Sequence, residues 1–170
     1  MKLSFEGIQN NMKRFFSKTI VSEDPVPDKM LGSYGRLEIP DLSISVPLYS
    51  AEGKDTQKIV DAINSAAIFG LGKQTVIADH VHQSNFQNLI RVQPGKTKAF
   101  VITIDGKKQS YICILSQLGH IQKSEVGNRL YDWEGIPARD KNENGLTIYT
   151  CLGPSVDDIQ KVTITYWKKV

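Results

Sequence analysis

Between residues 37 and 166 the apolar side chains recur mainly at every second position, and this constrains the fold more than any other feature of the chain. Leu42, Ile44, Val46 and Leu48 keep that period over seven residues, the pattern of a strand with one buried face. Leu37 and Ile39 precede them across a Pro40-Asp41 turn, and residues 74–78 (QTVIA) read as a buried strand. Ala99–Ile104 and Ser110–Leu115 flank Asp105-Gly106, a dipeptide that tolerates positive φ at both central positions of a hairpin turn. Leu146–Cys151 and Val162–Tyr166 supply two more strands. One segment of this region reads as a helix, capped by Asp55 or Thr56 and carrying Ile59, Val60, Ile63, Ala66 and Ala67 on one side. It should stop near Gly70 and Gly72.

Seven or more short strands leave unpaired edges unless the sheet closes on itself. The expected fold is therefore mainly β, a closed antiparallel β-barrel with one or two short helices. Residues 116–145 hold Gly127, Trp133, Gly135 and Pro137 without a long periodic run, and predict a long loop with some local structure.

Ahead of the barrel, Phe5, Ile8, Met12, Phe15, Phe16 and Ile20 lie at helical spacing, with Lys13, Arg14 and Lys18 between them. This predicts an N-terminal helix that packs on the domain, with contact to a membrane surface as the alternative. Ser22 to Gly35 reads as a linker. The expected division is residues 1–33 as helix and linker, and residues 34–170 as the barrel domain. No apolar run approaches the ~18 residues of a membrane span. The N-terminus also lacks the unbroken run of ~7–15 apolar residues of a signal peptide, so the chain reads as intracellular or as a trimmed exported protein.

Composition narrows the function. A chain of 170 residues makes one ordinary domain. Its net charge of +3 is too slight for a basic nucleic-acid-binding face, so no nucleic acid is expected as a partner. Two cysteines, Cys113 and Cys151, exclude a disulfide scaffold and a four-thiolate zinc site, while a single bridge stays open.

Cys151 ends a strand in which Leu146 and Ile148 face the core, so Thr147, Tyr149 and Cys151 take the other, more polar face. It sits just before Gly153-Pro154, where a loop must begin, and strand ends beside loops are where sites are built. Cys113 reads as core packing. A cysteine nucleophile needs a base or a cation to raise its thiolate fraction, since an unperturbed thiol ionises at about 8.5. His80 and His82 follow the strand at 74–78 and are the candidate partners; with Cys151 they could also form a His-x-His metal half-site, but no further ligand stands at metal-site spacing. No metal or cofactor is expected. His120, after Gly119, reads as a surface residue.

These residues fall in segments that resemble the sortase family. Tyr34–Tyr49 (YGRLEIPDLSISVPLY) is similar to the sortase opening, and Val76–His80 (VIADH) to the segment that ends in Gly-His, with Asp79 in place of the glycine. Phe86, Leu89 and Gly95 (FQNLIRVQPG) follow as in that family, and Leu146–Cys151 (LTIYTC) resembles its Leu-Thr-Leu-x-Thr-Cys motif. The resemblance spans residues 34–167. It implies an eight-stranded sortase barrel and a cysteine transpeptidase in which Cys151 is the nucleophile and His80 the proton-transfer partner. Its implied partners are a sorting-signal peptide of surface or pilus proteins and an amine acceptor, either a cell-wall precursor or a protein lysine. Its implied location is the cell surface of Gram-positive bacteria.

The family's third residue is an arginine after the cysteine, whose fork of donors can hold the substrate carbonyl and the oxyanion. No arginine follows Cys151 here. Strand parity read from sequence assigns the role to Lys161, on the premise that it shares a face with Cys151. Gln160 takes the role if a bulge shifts the register, and Arg139 if the preceding loop supplies it. Asp79 either raises the pKa of His80 by its charge or caps the turn at Ser84-Asn85. The alternative reading is a sortase-fold binding or scaffold protein with weak or no transpeptidase activity; a hydrolase that releases the peptide to water lies between the two.

Overall fold

The computed structural model describes residues 32–51, 55–72, 74–122 and 129–170. The described residues form nine strands: β1 (Ser33–Ile39), β2 (Ile44–Ser50), β3 (Ala66–Phe69), β4 (Thr75–Ala78), β5 (Lys98–Thr103), β6 (Lys108–Gln122), β7 (Arg129–Asp132), β8 (Leu146–Cys151) and β9 (Ile159–Lys169). Among the described residues the one α-helix is α1 (Asp55–Asp61), joined by three short 3-10 turns. The predicted helix over residues 5–20 and residues 22–31 of the predicted linker lie outside the described residues, while Ser33 to Gly35, expected as linker, already belong to β1.

Eight strands close a ring in the order β5-β1-β2-β3-β4-β8-β9-β6, with β6 pairing back onto β5, and β7 extends the sheet beyond β6. The ring is mainly antiparallel, but β2–β3 and β4–β8 are parallel. Parallel neighbours need a crossover connection, and α1 lies in the one between β2 and β3. The barrel expectation holds, with these two pairs as its correction.

Three local expectations also change. The helix does not run to Ala67, because Asn64 takes a left-handed φ of 60° and Ala66–Phe69 becomes a strand. Leu48 pairs with Ala66 on one side and Ala67 with Ala78 on the other, and both alanines are fully buried. Pairing and burial outweigh alanine's helix preference, which is worth only some tenths of a kcal/mol per residue. The hairpin at Asp105-Gly106 forms, but only Gly106 of the pair takes positive φ, and the Thr103 amide donates to the Lys107 carbonyl at 2.8 Å. The expected loop over 116–145 instead begins with the C-terminal part of β6, a 15-residue strand, followed by β7.

Two apolar layers follow from the alternation. Leu37, Leu48, Ile77, Val101, Cys113, Ile148 and Trp167 come from all eight ring strands except β3, which adds Ile68, and they fill the barrel interior. Phe86 and Leu89, on the 3-10 helix Phe86–Arg91, plug the same core. The buried Trp167 Nε1–H is satisfied by Thr165 Oγ1 at 2.7 Å, which in turn donates to the Ile148 carbonyl at 2.8 Å. Residues of opposite parity, including Tyr49, Ala78, Tyr149 and Val162, form a second layer covered by Ile59, Val60 and Ala62 of the α1 region. This second layer positions the candidate site.

Candidate functional site at the ends of β4 and β8

Strand β4 runs parallel to β8 with Ala78 beside Tyr149. The register continues past the strand: Thr150 Oγ1 donates to the Asp79 carbonyl at 2.8 Å. Extending the β4–β8 register by two residues sets His80 beside Cys151. The His80 ring reaches Asp61 on α1, with Nε2 2.9 Å from Oδ1. Cys151 packs in the layer that holds Val60 and Ala62, the residues flanking Asp61. Both side chains therefore lie on the α1 side of the sheet.

That side is not the polar, open face read from sequence. Cys151 is 0% exposed and His80 1%. Alternation identifies which residues share a face, and only tertiary packing shows that α1 covers the second one.

Burial is the main influence on the titration of His80 and of Asp79. It lowers the His80 pKa by penalising the imidazolium, while the hydrogen bond and charge of Asp61 act in the opposite sense. Asp79 is buried too, and its pKa is raised well above the usual carboxylate range, first by loss of water. Its Oδ1 accepts the His80 backbone N–H at 2.7 Å. The carboxylate that acts on the His80 ring is thus Asp61, while Asp79 accepts from the His80 backbone N–H and also interacts with the side chain of Ser84, in the turn it was expected to cap.

Cys113 is buried in the barrel interior and forms no disulfide with Cys151. Burial pushes its thiol up to about 11. His82 is exposed. His120 belongs to β6 rather than to a loop, and is half-buried and stacked on Tyr131 with ring centroids 5.3 Å apart. Among the described residues, no group of three or more His, Cys, Asp or Glu is arranged to hold a metal ion. No helix among them is long and apolar enough to cross a membrane.

The β8–β9 pairing corrects the premise for Lys161. Cys151 lies directly opposite Val162, with no bulge between these strands, and directly paired residues of an antiparallel ladder point to the same side. Gln160 shares that side and Lys161 takes the other. Lys161 is exposed and lines a pocket of about 310 Å³ with Leu118, His120, Trp133, Leu152 and Ile159. Gln160 is fully buried, and its Nε2 donates to the carbonyls of Gly153 at 2.7 Å and Lys161 at 2.8 Å. The bulge invoked for Gln160 is unnecessary: the regular register puts it there. Arg139 lies in the 3-10 helix Ala138–Asn142, and its side chain is outside the described residues.

Asp61 was not singled out from sequence. It is a polar residue closing a short helix, and nothing local marks it as a partner of a histidine 19 positions later. Gln57, one turn earlier on α1, donates to the same Oδ1 at 2.7 Å.

Comparison with protein-family models and with curated proteins returns no match. Solved structures do match. The chain is similar to sortase C1 from Streptococcus suis, with 13% identity, a TM-score of 0.53, and coverage of 94% of this chain and 79% of that one. Sortase C from Clostridium perfringens, solved as an intermolecular complex with the C-terminal cell wall sorting signal motif, gives 17% identity and a TM-score of 0.54, covering 97% and 82%. Sortase C-1 from Actinomyces oris gives 16% identity and a TM-score of 0.53, covering 100% and 86%. In fold, then, this chain is a sortase-like β-barrel.

Proposed function

We propose that the protein is a sortase-like cysteine transpeptidase acting on a sorting-signal peptide. The observation that carries this reading is the level placement of His80 and Cys151 at the ends of two adjacent strands, on one side of the sheet. In this mechanism the Cys151 thiol gives its proton to the His80 imidazole as Sγ bonds to a peptide carbonyl carbon. The tetrahedral intermediate collapses as the leaving amine takes that proton from the imidazolium, and a thioester remains on Cys151. An incoming amine then attacks the thioester carbon and gives a proton to His80. The new amide leaves, and the proton returns to the sulfur. A thioester suits this exchange because it retains enough free energy for aminolysis. The peptide gains access only when the cover formed by α1 opens, since both side chains are buried.

The C. perfringens complex with a sorting motif supports the peptide class. The corresponding acceptor is an amine of a cell-wall precursor or a protein lysine, and the corresponding location is the surface of a Gram-positive cell. No cofactor takes part in this mechanism. The test is incubation with sorting-signal peptides followed by mass spectrometry of the intact protein. The expected result is an acyl adduct on Cys151 that is absent in Cys151→Ala, slowed about 10²-fold or more in His80→Ala, and discharged faster by added amine.

One observation favours a second reading, a sortase-fold binding protein. The residues of β9 that share the face of Cys151 and lie next to it are the uncharged Gln160 and Val162, so that strand sets no cation beside Cys151 to meet an oxyanion. Removing one oxyanion donor from an enzyme can cost 10²–10³ in rate, roughly 3–4 kcal/mol. Peptide binding by calorimetry without any adduct would establish this reading over the first.

A further inference from the structure

His80 is held from one side by a single short helix. Its Nε2 lies 2.9 Å from Asp61 Oδ1, and that oxygen also accepts from Gln57 Nε2 at 2.7 Å. Two residues downstream of the histidine's own neighbour, Gln83 Nε2 donates to the Val60 carbonyl at 2.9 Å. The loop that carries His80 is thus tied to the last turn of α1 at two points, one of them the imidazole itself.

The chemistry of this contact is directional. An ionised carboxylate only accepts hydrogen bonds, so the nitrogen facing it carries a proton. A neutral imidazole has one N–H, and fixing it at Nε2 leaves the lone pair on Nδ1. His80 is 1% exposed, so bulk water does not compete for the contact, whereas the Asp61 side chain keeps 25% exposure and with it part of its hydration. That partial hydration limits the desolvation cost of a charge beside a buried ring.

We propose that Asp61 is the positioning residue of His80: it fixes the Nε2–H tautomer and makes Nδ1 the nitrogen that exchanges a proton with Cys151. Gln57 supports this by pinning the accepting oxygen. The catalytic meaning of the assignment rests on the transpeptidase reading, while the tautomer itself does not. Three ionisable groups besides Asp61 bear on the ring. Asp79 bonds the His80 backbone N–H, His82 opposes protonation by its charge, and Cys151 shares the α1 side of the sheet.

The test uses full-length protein labelled with ¹⁵N in histidine. Long-range ¹H–¹⁵N correlation spectra above the histidine titration should show His80 protonated at Nε2 and not at Nδ1. Asp61→Ala should release the proton to a mixture of both nitrogens. Asp61→Asn keeps an acceptor and the shape, so it should retain the tautomer but lower the midpoint of His80 protonation, because the neighbouring charge is gone. A merely structural tie would move neither tautomer nor midpoint. In the same variants, alkylation of Cys151 at neutral pH should slow by about tenfold, equivalent to about 1.4 kcal/mol. Should Asp61→Ala not fold, Gln57→Ala must still loosen the Nε2 proton, seen as faster exchange with solvent. A native His80 protonated at Nδ1, or unchanged spectra and alkylation in Asp61→Asn, overturns the proposal. A native protein that forms no acyl adduct overturns the transpeptidase reading instead, and leaves the tautomer result to judge this one.

Discussion

Cys151 stands directly opposite Val162 in an unbroken antiparallel ladder, and this one pairing decides that Gln160 rather than Lys161 shares the face of the candidate nucleophile. Lys161→Ala should therefore change the alkylation rate of Cys151 at neutral pH by less than about twofold, since a charge on the far face is screened by solvent. Gln160→Arg should raise it, because a cation on the near face favours the thiolate. The added bulk at a fully buried position should cost about 1–3 kcal/mol in urea unfolding. A large loss in Lys161→Ala with no response in Gln160→Arg would show that the parity argument fails.

The two cysteines should differ in reactivity. Cys113 faces the barrel interior with its thiol pushed up to about 11, so its thiolate fraction at neutral pH is very small. Cys151 lies under α1, a short element at the rim. Peptide mapping after brief iodoacetamide treatment of the native protein should find label on Cys151 well before Cys113. Equal labelling would mean that global unfolding, rather than a local opening at α1, exposes both.

Stability should vary with pH through two buried groups that act in opposite senses. The folded-state pKa of His80 is lowered, chiefly by burial, so its contribution is present above the unfolded value of about 6.5 and is lost as pH falls through the folded value. The folded-state pKa of Asp79 is raised, again chiefly by burial. Its contribution is present below the unfolded value of about 3.9 and is lost as pH rises through the folded one. Asp79→Asn keeps an acceptor for the His80 amide and removes the titration. It should therefore be more stable than the native protein near neutral pH, with the gap closing in acid. Urea midpoints across a pH series measure this, and a gap that widens in acid would contradict it.

Gly35 should tolerate no side chain. Its φ of 155° is a conformation that residues with a Cβ rarely adopt, and a Cβ there would collide with the Ile102 carbonyl oxygen on β5. Gly35→Ala should lower stability by several kcal/mol, on the order of a disrupted core site. Because β1–β5 is one of the pairings that closes the ring, hydrogen exchange should rise along both strands. A native-like melting temperature would refute the collision.

Alternation alone was enough to locate most of the barrel. The Leu42–Leu48 run, the Asp105-Gly106 turn and the Leu146–Cys151 segment all appear as strands or turns where period and turn chemistry put them, because those signals are local. The order of motifs around His80 and Cys151 was likewise legible, and the sortase-like fold agrees with it. Ala66–Phe69 was not, since alanine carries no strand signal and its role comes from neighbours at residues 48 and 78. The far end of β6 escaped notice for the same reason: it is held by β9, some 40 residues away. What covers the face of Cys151, which of Gln160 and Lys161 lies beside it, and which carboxylate meets His80 were decided only by tertiary structure. A period of two separates two faces but is blind to the element laid over each, to the register between distant strands, and to contacts made across a fold.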